Sequence, residues 1–218
     1  MQAQGGRGVE GYITVRPGEE PQGEFTDRKS RFIAQLAHVE TEDEASAHIA
    51  AVRARHHDAR HNVPAWILVN GTERASDDGE PQRTAGVPTL DVLRGEGLRD
   101  VCCVTTRYFG GTLLGTGGLV RAYTQAAQEA VEAARAAGQL VQMTSVVAVD
   151  ARVGYALYEQ TLRAVAAAGG KVRSSDFTDA VTVHAVFRAG DEAAFLSAYT
   201  ELTQGGTAQA GEPRFDEF

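Results

Sequence analysis

Alternating apolar and polar positions predict a chain of mixed strands and helices. Runs rich in β-branched and other apolar residues are typical of strands, and the first part of the chain has four of them, at residues 12–16, 31–39, 65–70 and 101–108. Apolar residues spaced three and four apart predict a helix from the capping box at Thr41 to about Arg55, and a short helix from Pro88 to Gly95. This order indicates an α/β domain.

The strongest local signal is a junction of strand, glycine-rich segment and helix. The strand VCCVTTRYF runs into GGTLLGTGG and then into an amphipathic helix that reaches about residue 137. Its predicted buried positions are Leu119, Val120, Tyr123, Ala127, Ala130, Val131 and Ala134. The N-terminus of a helix attracts anions, and a cation in its first turn costs about 0.3–1 kcal/mol. Arg121, expected in that turn, therefore suggests a nearby anion.

The pattern restarts after Gly138. The predicted order is strand 144–152, helix 155–168, strands 171–177 and 180–188, a helix from residue 191 and a strand at 207–214. This βαββαβ order is that of a ferredoxin-like domain. We therefore predict an α+β protein of two domains, residues 1–140 and 141–218, with residues 1–11 as a mobile tail. The expected open sheet face has no aromatic residues for stacking bases, and His184 on it is expected to be a surface residue.

Charge changes the picture of possible partners. The 218 residues carry a net charge of −8, which divides into −4 for residues 1–140 and −4 for residues 141–218. Neither part has the basic excess of a general polyanion binder, so any contact with nucleic acid has to rest on a local patch. The run Asp27-Arg28-Lys29-Ser30-Arg31 is one candidate for phosphate contacts, and a solvated turn is the alternative.

The two cysteines indicate a reducing compartment. Cys102 and Cys103 are neighbours on a predicted strand, so their side chains point to opposite faces and cannot form an ordinary disulfide. No apolar run approaches the roughly 18 residues of a membrane helix, and the first eleven residues contain no apolar core of a signal peptide. We therefore expect a cytoplasmic protein that does not associate with membranes.

An acidic turn supplies candidate catalytic or metal-binding residues. The segment SDDGEP places Asp77, Asp78 and Glu80 around a glycine, and three acids this close repel each other unless a cation joins them. That cation is either a metal such as Mg²⁺ or an arginine. The alternative is a solvent-exposed acidic turn without a functional role. If the protein is an enzyme, these three acids with His61 are the candidate acid, base or metal-binding residues. No metal site is otherwise predicted.

The glycine-rich junction supplies candidates for anion binding. They are Asn62, Arg107, Tyr108, Gly110, Gly111, Gly115, Gly117, Gly118 and Arg121. The segment lacks both the G-K-[ST] of a phosphate-binding loop and the G-x-G-x-x-G order of a dinucleotide fold. We therefore expect no ATP, NAD or other cofactor. The acidic turn, the His61-Asn62 pair and residues 107–118 are expected to converge on one concave face.

Four motifs together resemble the YigZ/IMPACT family: KSRFIA, His61-Asn62, SDDGEP followed by TAG, and TRYFGGTLLGTGGLVRAY. The resemblance covers nearly the whole chain, and the last motif is long and unusual. It implies a first domain similar to domain four of elongation factor G, of the ribosomal-protein-five domain-two type, and a second domain similar to domain five. The chain departs from the family pattern at Gln82-Arg83 and at Val87, which alters the charge near the acidic turn.

The resemblance also implies a role in translation. Eukaryotic relatives regulate translation by binding an activator of an initiation-factor kinase through an additional domain that has no counterpart in these residues, so that partner is not carried over. We expect a non-enzymatic regulator that binds the ribosome or RNA, or a protein of the translation machinery, through an anion-binding crevice. The alternative is a metal-assisted hydrolase that uses the SDDGEP carboxylates and His61.

Overall fold

The computed structural model describes residues 11–218, which divide into two compact units. One unit is Tyr12–Gln142, and the other is Met143–Phe218 together with Gly11. The predicted mobile tail falls almost wholly outside the described residues, except for Gly11, which begins the first strand. Among the described residues, no helix is long and apolar enough to cross a membrane.

The first unit is built on a five-stranded antiparallel sheet, beside a short strand β1 (Gly11–Val15) that is bridged to Leu98. The strands of the sheet are β2 (Gln22–Asp27), β3 (Ser30–His38), β4 (His61–Ile67), β5 (Glu73–Ala75) and β6 (Val101–Tyr108). Their order across the sheet is β2-β3-β6-β4-β5. The register places Arg107 of the central strand opposite both His61 and Phe32.

Helices cover both faces of this sheet. The helices are α1 (Glu42–Arg55), α2 (Gly86–Gly95) and α3 (Gly115–Ala136). One apolar cluster joins α2 and α3 to the face that carries Cys103, and a second joins α1 to the face that carries Cys102. The two thiols are free and buried on opposite faces, as the alternation of the strand predicts. The mixed α/β character predicted for this part of the chain is thereby confirmed.

Strand β4 begins four residues earlier than predicted, and β2 and β5 were not predicted at all. The polar residues just ahead of Ala65 suggested that the strand begins there, and Pro64 itself lacks an N–H donor. The carbonyl of Pro64 accepts a hydrogen bond from Ser76 N on the β5 side, and β5 itself pairs only with Ala65, Trp66 and Ile67. Pro64 therefore lies beyond the residues that pair with β5, where its lack of an N–H group breaks no hydrogen bond between the strands. The strand continues through the proline.

Helix α3 also begins earlier than expected. Gly115 is its first residue, so Gly117 and Gly118 are helical and the connecting loop is only residues 109–114. Arg121 consequently lies in the second turn, and the argument from an unfavourable cation in the first turn no longer applies. Val120, predicted to be buried, is 38% exposed. The other predicted core positions of this helix are buried.

The second unit has the predicted βαββαβ order. Its elements are β7 (Leu140–Val153, which spans the boundary), a 3-10 turn (Tyr155–Leu157), α4 (Tyr158–Ala167), β8 (Lys171–Phe177), β9 (Val181–Arg188), α5 (Glu192–Leu202), β10 (Gln209–Ala210) and β11 (Arg214–Glu217). β10 and β11 both pair with one edge of β7, and β9 and then β8 follow on its other edge. The single last strand predicted at 207–214 is thus two short strands, because Pro213 interrupts the pairing.

The faces of β9 follow the predicted alternation. Val181, Val183 and Phe187 are buried in a core with Phe195 of α5, while His184 lies on the other face. His184 is not an isolated surface residue, since its ring bonds the carboxylates of Asp150 and Asp176 at 2.7 and 3.1 Å. These two bonds raise the pKa of His184.

Candidate functional site

The loop of residues 109–114 is held against the turn between β2 and β3. Gly110 N donates to Ser30 Oγ at 3.1 Å, and a Cβ atom on Gly110 would lie 2.1 Å from the carbonyl carbon of Lys29. Glycine is therefore required here because the two backbones touch. The same packing brings Arg28 to the loop, where its Nη1 donates to the Leu113 carbonyl at 3.4 Å.

The first turn of α3 presents uncapped backbone amides. The residue before the helix, Leu114, makes no side-chain cap hydrogen bond, and Gly115 has a positive φ of 70°. The first N–H groups of a helix have no partner within the helix, and they carry the positive end of its dipole. This end of α3 is therefore suited to an anion. Gly117 and Gly118 contribute to it as helical residues and not as a loop.

A buried ion pair lies beside this helix end. Arg107 Nη1 donates to Oε1 and Oε2 of Glu80 at 2.8 and 2.9 Å, and Tyr123 Oη donates to Oε1 at 2.7 Å. The guanidinium also lies between two aromatic rings, 5.4 Å from the centre of Phe32 and 5.5 Å from that of Phe109. Burial, followed by the charge of Glu80, raises the pKa of Tyr123, so its hydroxyl stays protonated as a donor. Glu80 therefore accepts three hydrogen bonds from two partners.

The other two acids of the turn hold the backbone. Asp77 accepts from the N–H groups of Arg83, Ala85 and Gly86 at 2.6–3.0 Å, and so caps α2. Burial acts to raise the pKa of Asp77, but the three backbone hydrogen bonds together lower it below its usual range. Asp78 accepts from Asn62 N and from Arg53, both at 2.7 Å.

His61 is fixed by the same turn. Its Nδ1 lies 2.8 Å from the backbone carbonyl oxygen of Asp78, and because a carbonyl only accepts, Nδ1 carries the proton. In the neutral ring, Nε2 is then an acceptor. His61 and Arg107 are paired across β4 and β6, so both side chains lie on the face that bears α2 and α3. A histidine and an arginine separated by 46 positions in the chain are thereby brought to one side of the sheet.

These groups surround a cleft of about 390 Å³. Its polar lining comes from Arg60, His61, Glu80 and Arg107, together with the start of α3 at Gly115 and Thr116. Its apolar lining consists of Pro81, Phe109, Leu113, Leu114 and Leu119. The expected convergence holds for His61, for Glu80 of the acidic turn and for Arg107 with the start of α3, but not for Asn62. Arg60 and the apolar residues were missed, because nothing in their spacing sets them apart from ordinary loop residues.

Two of the predicted anion-binding residues lie elsewhere. Tyr108 is on the opposite face of the sheet from Arg107, where its hydroxyl contacts His56 Nδ1 at 2.9 Å and Asp58 at 3.0 Å. Burial, followed by the hydrogen bond to Asp58, raises the pKa of Tyr108. Asn62 also lies on that face, where its Oδ1 accepts from Thr106 at 2.7 Å. Strand alternation separates both side chains from the cleft.

The remaining predicted positions lie near the cleft without lining it. Gly110 and Gly111 belong to the loop of residues 109–114, and Gly111 has a positive φ of 84°. Arg121 is 72% exposed and lies 3.7 Å from Asp27, which offsets part of its charge. Within residues 11–218, no three His, Cys, Asp or Glu side chains are grouped so that they could hold a metal ion.

Comparisons with known proteins place the site within a family. Residues 28–131 match the model of the Impact N-terminal domain. The chain is 46% identical over 120 residues to IMPACT family member YvyE of Bacillus subtilis (strain 168), and 49% identical over 100 residues to IMPACT family member YigZ of Escherichia coli (strain K12). Residues 28–131 therefore form an Impact N-terminal domain, and the chain is similar to members of the IMPACT family. The resemblance carried by the four sequence motifs is thereby confirmed.

The Impact N-terminal domain match lies within the first unit. The two alignments cover 54% and 44% of this chain and 54% and 49% of the relatives, so the chain spans about half the length of the curated relatives it matches. A crystal structure of a protein described as hypothetical is similar over more of the chain. It is 32% identical with a TM-score of 0.61, and the match covers 93% of this chain and 97% of that one. The cleft described above lies wholly within the Impact N-terminal domain match.

Proposed function

We propose that this chain is a non-enzymatic, translation-linked protein of the IMPACT family that binds RNA, free or in the ribosome, at the cleft of its first unit. The observation that carries the proposal is a group of three exposed cations, Arg28, Lys29 and Arg60, which we call the basic rim. Arg60 lines the cleft, and Arg28 and Lys29 border it through their contacts with the loop of residues 109–114. The uncapped start of α3 lies in the same cleft.

The cations of the basic rim differ from several neighbouring arginines in having no acidic partner within residues 11–218. Neighbouring arginines have acidic partners: Arg31 bonds Glu24 and Arg55 bonds Glu20. Among the residues that the structure describes, the three cations of the basic rim have no such ion pair. Unpaired cations beside open helix amides attract phosphate groups, and phosphate contacts supply most of the affinity for nucleic acid. A chain of net charge −8 can thus still present a local anion site.

The acids of the SDDGEP turn support binding and not hydrolysis. Asp77 is committed to three backbone N–H groups, Asp78 to Asn62 N and Arg53, and Glu80 to Arg107 and Tyr123. A general base or metal ligand needs a lone pair that is directed at the substrate or ion. These carboxylates instead hold α2, β4 and Arg107 in place. The hydrolase alternative receives no favourable observation from this geometry.

The direct test is binding of a fluorescently labelled single-stranded RNA, followed by anisotropy at increasing KCl. Affinity is expected to fall as salt rises, with a slope of about −0.7 for each phosphate neutralised. Replacing Arg28, Lys29 and Arg60 together by alanine should weaken binding and make the slope shallower by about two. The link to translation is tested by sedimentation with ribosomes. The parent protein should co-sediment with them, and the same triple variant should not.

The matched control removes three cations from the other unit. Arg152, Arg163 and Arg214 are exposed, and their replacement by alanine changes the net charge by the same amount. Loss of affinity in both triple variants would mean a general charge effect and would contradict a local site. Metal-dependent turnover of phosphoester or peptide substrates that disappears in Asp77→Asn and Asp78→Asn would instead establish the hydrolase.

A further inference from the structure

The apolar wall of the cleft is not explained by phosphate contacts. Phe109 is 56% exposed and Leu113 is 82% exposed, and both belong to the loop that the basic rim borders. A loop that served only phosphate would have no need of two exposed large apolar side chains, each of which costs free energy in water. Their position indicates that the ligand also has an apolar surface.

Phe109 is oriented by the buried ion pair. Arg107 is held by Glu80, and its guanidinium lies against the Phe109 ring at 5.5 Å from the ring centre. Stacking on a fixed guanidinium restrains the ring although more than half of the side chain remains exposed. The result is an exposed aromatic surface that is held in place at the mouth of the cleft.

The polar groups of the cleft include both a donor and an acceptor. Arg107 lines the cleft and donates to Glu80 only through Nη1, and its buried Nε has no hydrogen-bond partner among the described residues. Only 6% of Arg107 is exposed, so its guanidinium is a largely buried donor group in the lining of the cleft. His61 Nε2 supplies an acceptor, since Nδ1 is used by the Asp78 carbonyl.

We infer that the cleft is a subsite for one unstacked nucleobase of a single-stranded RNA, with the base on Phe109 and its phosphate at the start of α3. This inference rests on the proposed RNA binding and adds the part of the RNA that the cleft selects. A nucleobase combines a flat apolar face with donors and acceptors along its edge, and proteins read unstacked bases by aromatic stacking and by contacts to that edge. A cleft of about 390 Å³ is within the size range of small-ligand pockets.

The experiment compares Phe109 variants on single-stranded RNA that carries 2-aminopurine at one position. Phe109→Ala is expected to weaken binding about 5- to 150-fold with an unchanged salt slope, because it removes stacking and no charge. Phe109→Tyr should retain the affinity of the parent, whereas Phe109→Leu, which keeps apolar bulk without a flat ring, should lose it. The 2-aminopurine fluorescence should change on binding to the parent and not to Phe109→Ala.

The matched control is Phe177→Ala, which removes a phenylalanine of 57% exposure from the other unit. The Phe177→Ala variant should bind the RNA as tightly as the parent does. In a second control, an RNA with an abasic site in place of the base should bind the parent more weakly, by as much as Phe109→Ala weakens binding of the intact RNA. Salt-dependent RNA binding that is equal in the parent and Phe109→Ala would overturn the base subsite and leave RNA binding intact. Binding to duplex RNA that is as tight as binding to single-stranded RNA would also overturn the base subsite. No RNA binding by the parent would overturn the proposed function and the subsite with it.

Discussion

Arg107 and Glu80, 27 residues apart in the chain, form an ion pair in which Nη1 contacts both carboxylate oxygens and both side chains are almost fully buried, at 7% and 3% exposure. The sequence leaves open whether a metal or an arginine joins the acidic turn, and in the structure Glu80 pairs with Arg107. Their pairing neutralises both and converts them into a fixed support for Phe109 and for α3 through Tyr123. Affinity for an anion then depends on the basic rim and not on Arg107.

Removing one member of this pair should strongly destabilise the first unit. Glu80→Ala leaves the guanidinium buried without a counter-charge, and such a loss typically costs about 3–5 kcal/mol of unfolding free energy. The loss of unfolding free energy is measured by urea denaturation followed by circular dichroism. The control is Glu24→Ala, which breaks the exposed pair with Arg31 and should cost less than about 1 kcal/mol. Similar losses in the two variants would contradict a structural role for Glu80.

Loss of the α2 cap should depend on pH. Asp77→Ala removes the acceptor for three backbone N–H groups, which should cost about 0.5–2 kcal/mol at neutral pH. The folded-state pKa of Asp77 is lowered, so its stabilisation is complete above the unfolded-state pKa of about 3.9 and declines as pH falls through the folded value. The parent and variant should therefore converge in stability below about pH 4. Asp91→Ala, an exposed acid of the same helix, should show no such convergence.

Two glycines of the GGTLLGTGG segment should respond in opposite ways to alanine. At Gly110, a Cβ atom would lie 2.1 Å from the Lys29 carbonyl carbon and 2.3 Å from Ser30 N, so the loop has to shift. We expect Gly110→Ala to cost about 1–3 kcal/mol and to weaken RNA binding. At Gly117 no atom lies within 4 Å, and alanine should raise stability by up to about 1 kcal/mol because it favours helix. Thermal melting of both variants tests this, and a destabilised Gly117→Ala would show that the helix start is misassigned.

Both thiols should be inert in the folded protein. Burial raises the pKa of Cys102 well above its usual range and raises that of Cys103 to about 12, so at about pH 8 well under one thiol in a thousand is ionised. Iodoacetamide should add to neither cysteine in native conditions and to both in concentrated urea, as counted by mass spectrometry. Rapid native modification would mean that β6 opens readily.

The amino-acid sequence by itself determined the local and periodic features. Apolar spacing was sufficient for the helix that follows Thr41, for the βαββαβ order of the second unit and for the opposite faces of Cys102 and Cys103, because these depend on residues close in the chain. The same holds for the family, since the motif around the glycine-rich junction is contiguous. The short strands β2 and β5 escaped detection because their exposed residues have no apolar run.

Only the tertiary structure decided which charges remain available for a ligand. Strand register places His61 beside Arg107 and separates Asn62 and Tyr108 from both, although each was an equal candidate in the sequence. An ion pair forms where two elements meet, so the neutralisation of Arg107 by Glu80 follows from the packing of α3 and the acidic turn on the sheet and from no local pattern. The unpaired state of Arg60 has the same origin. The sequence shows which residues are charged, but contacts between residues distant in the chain decide which of those charges are paired.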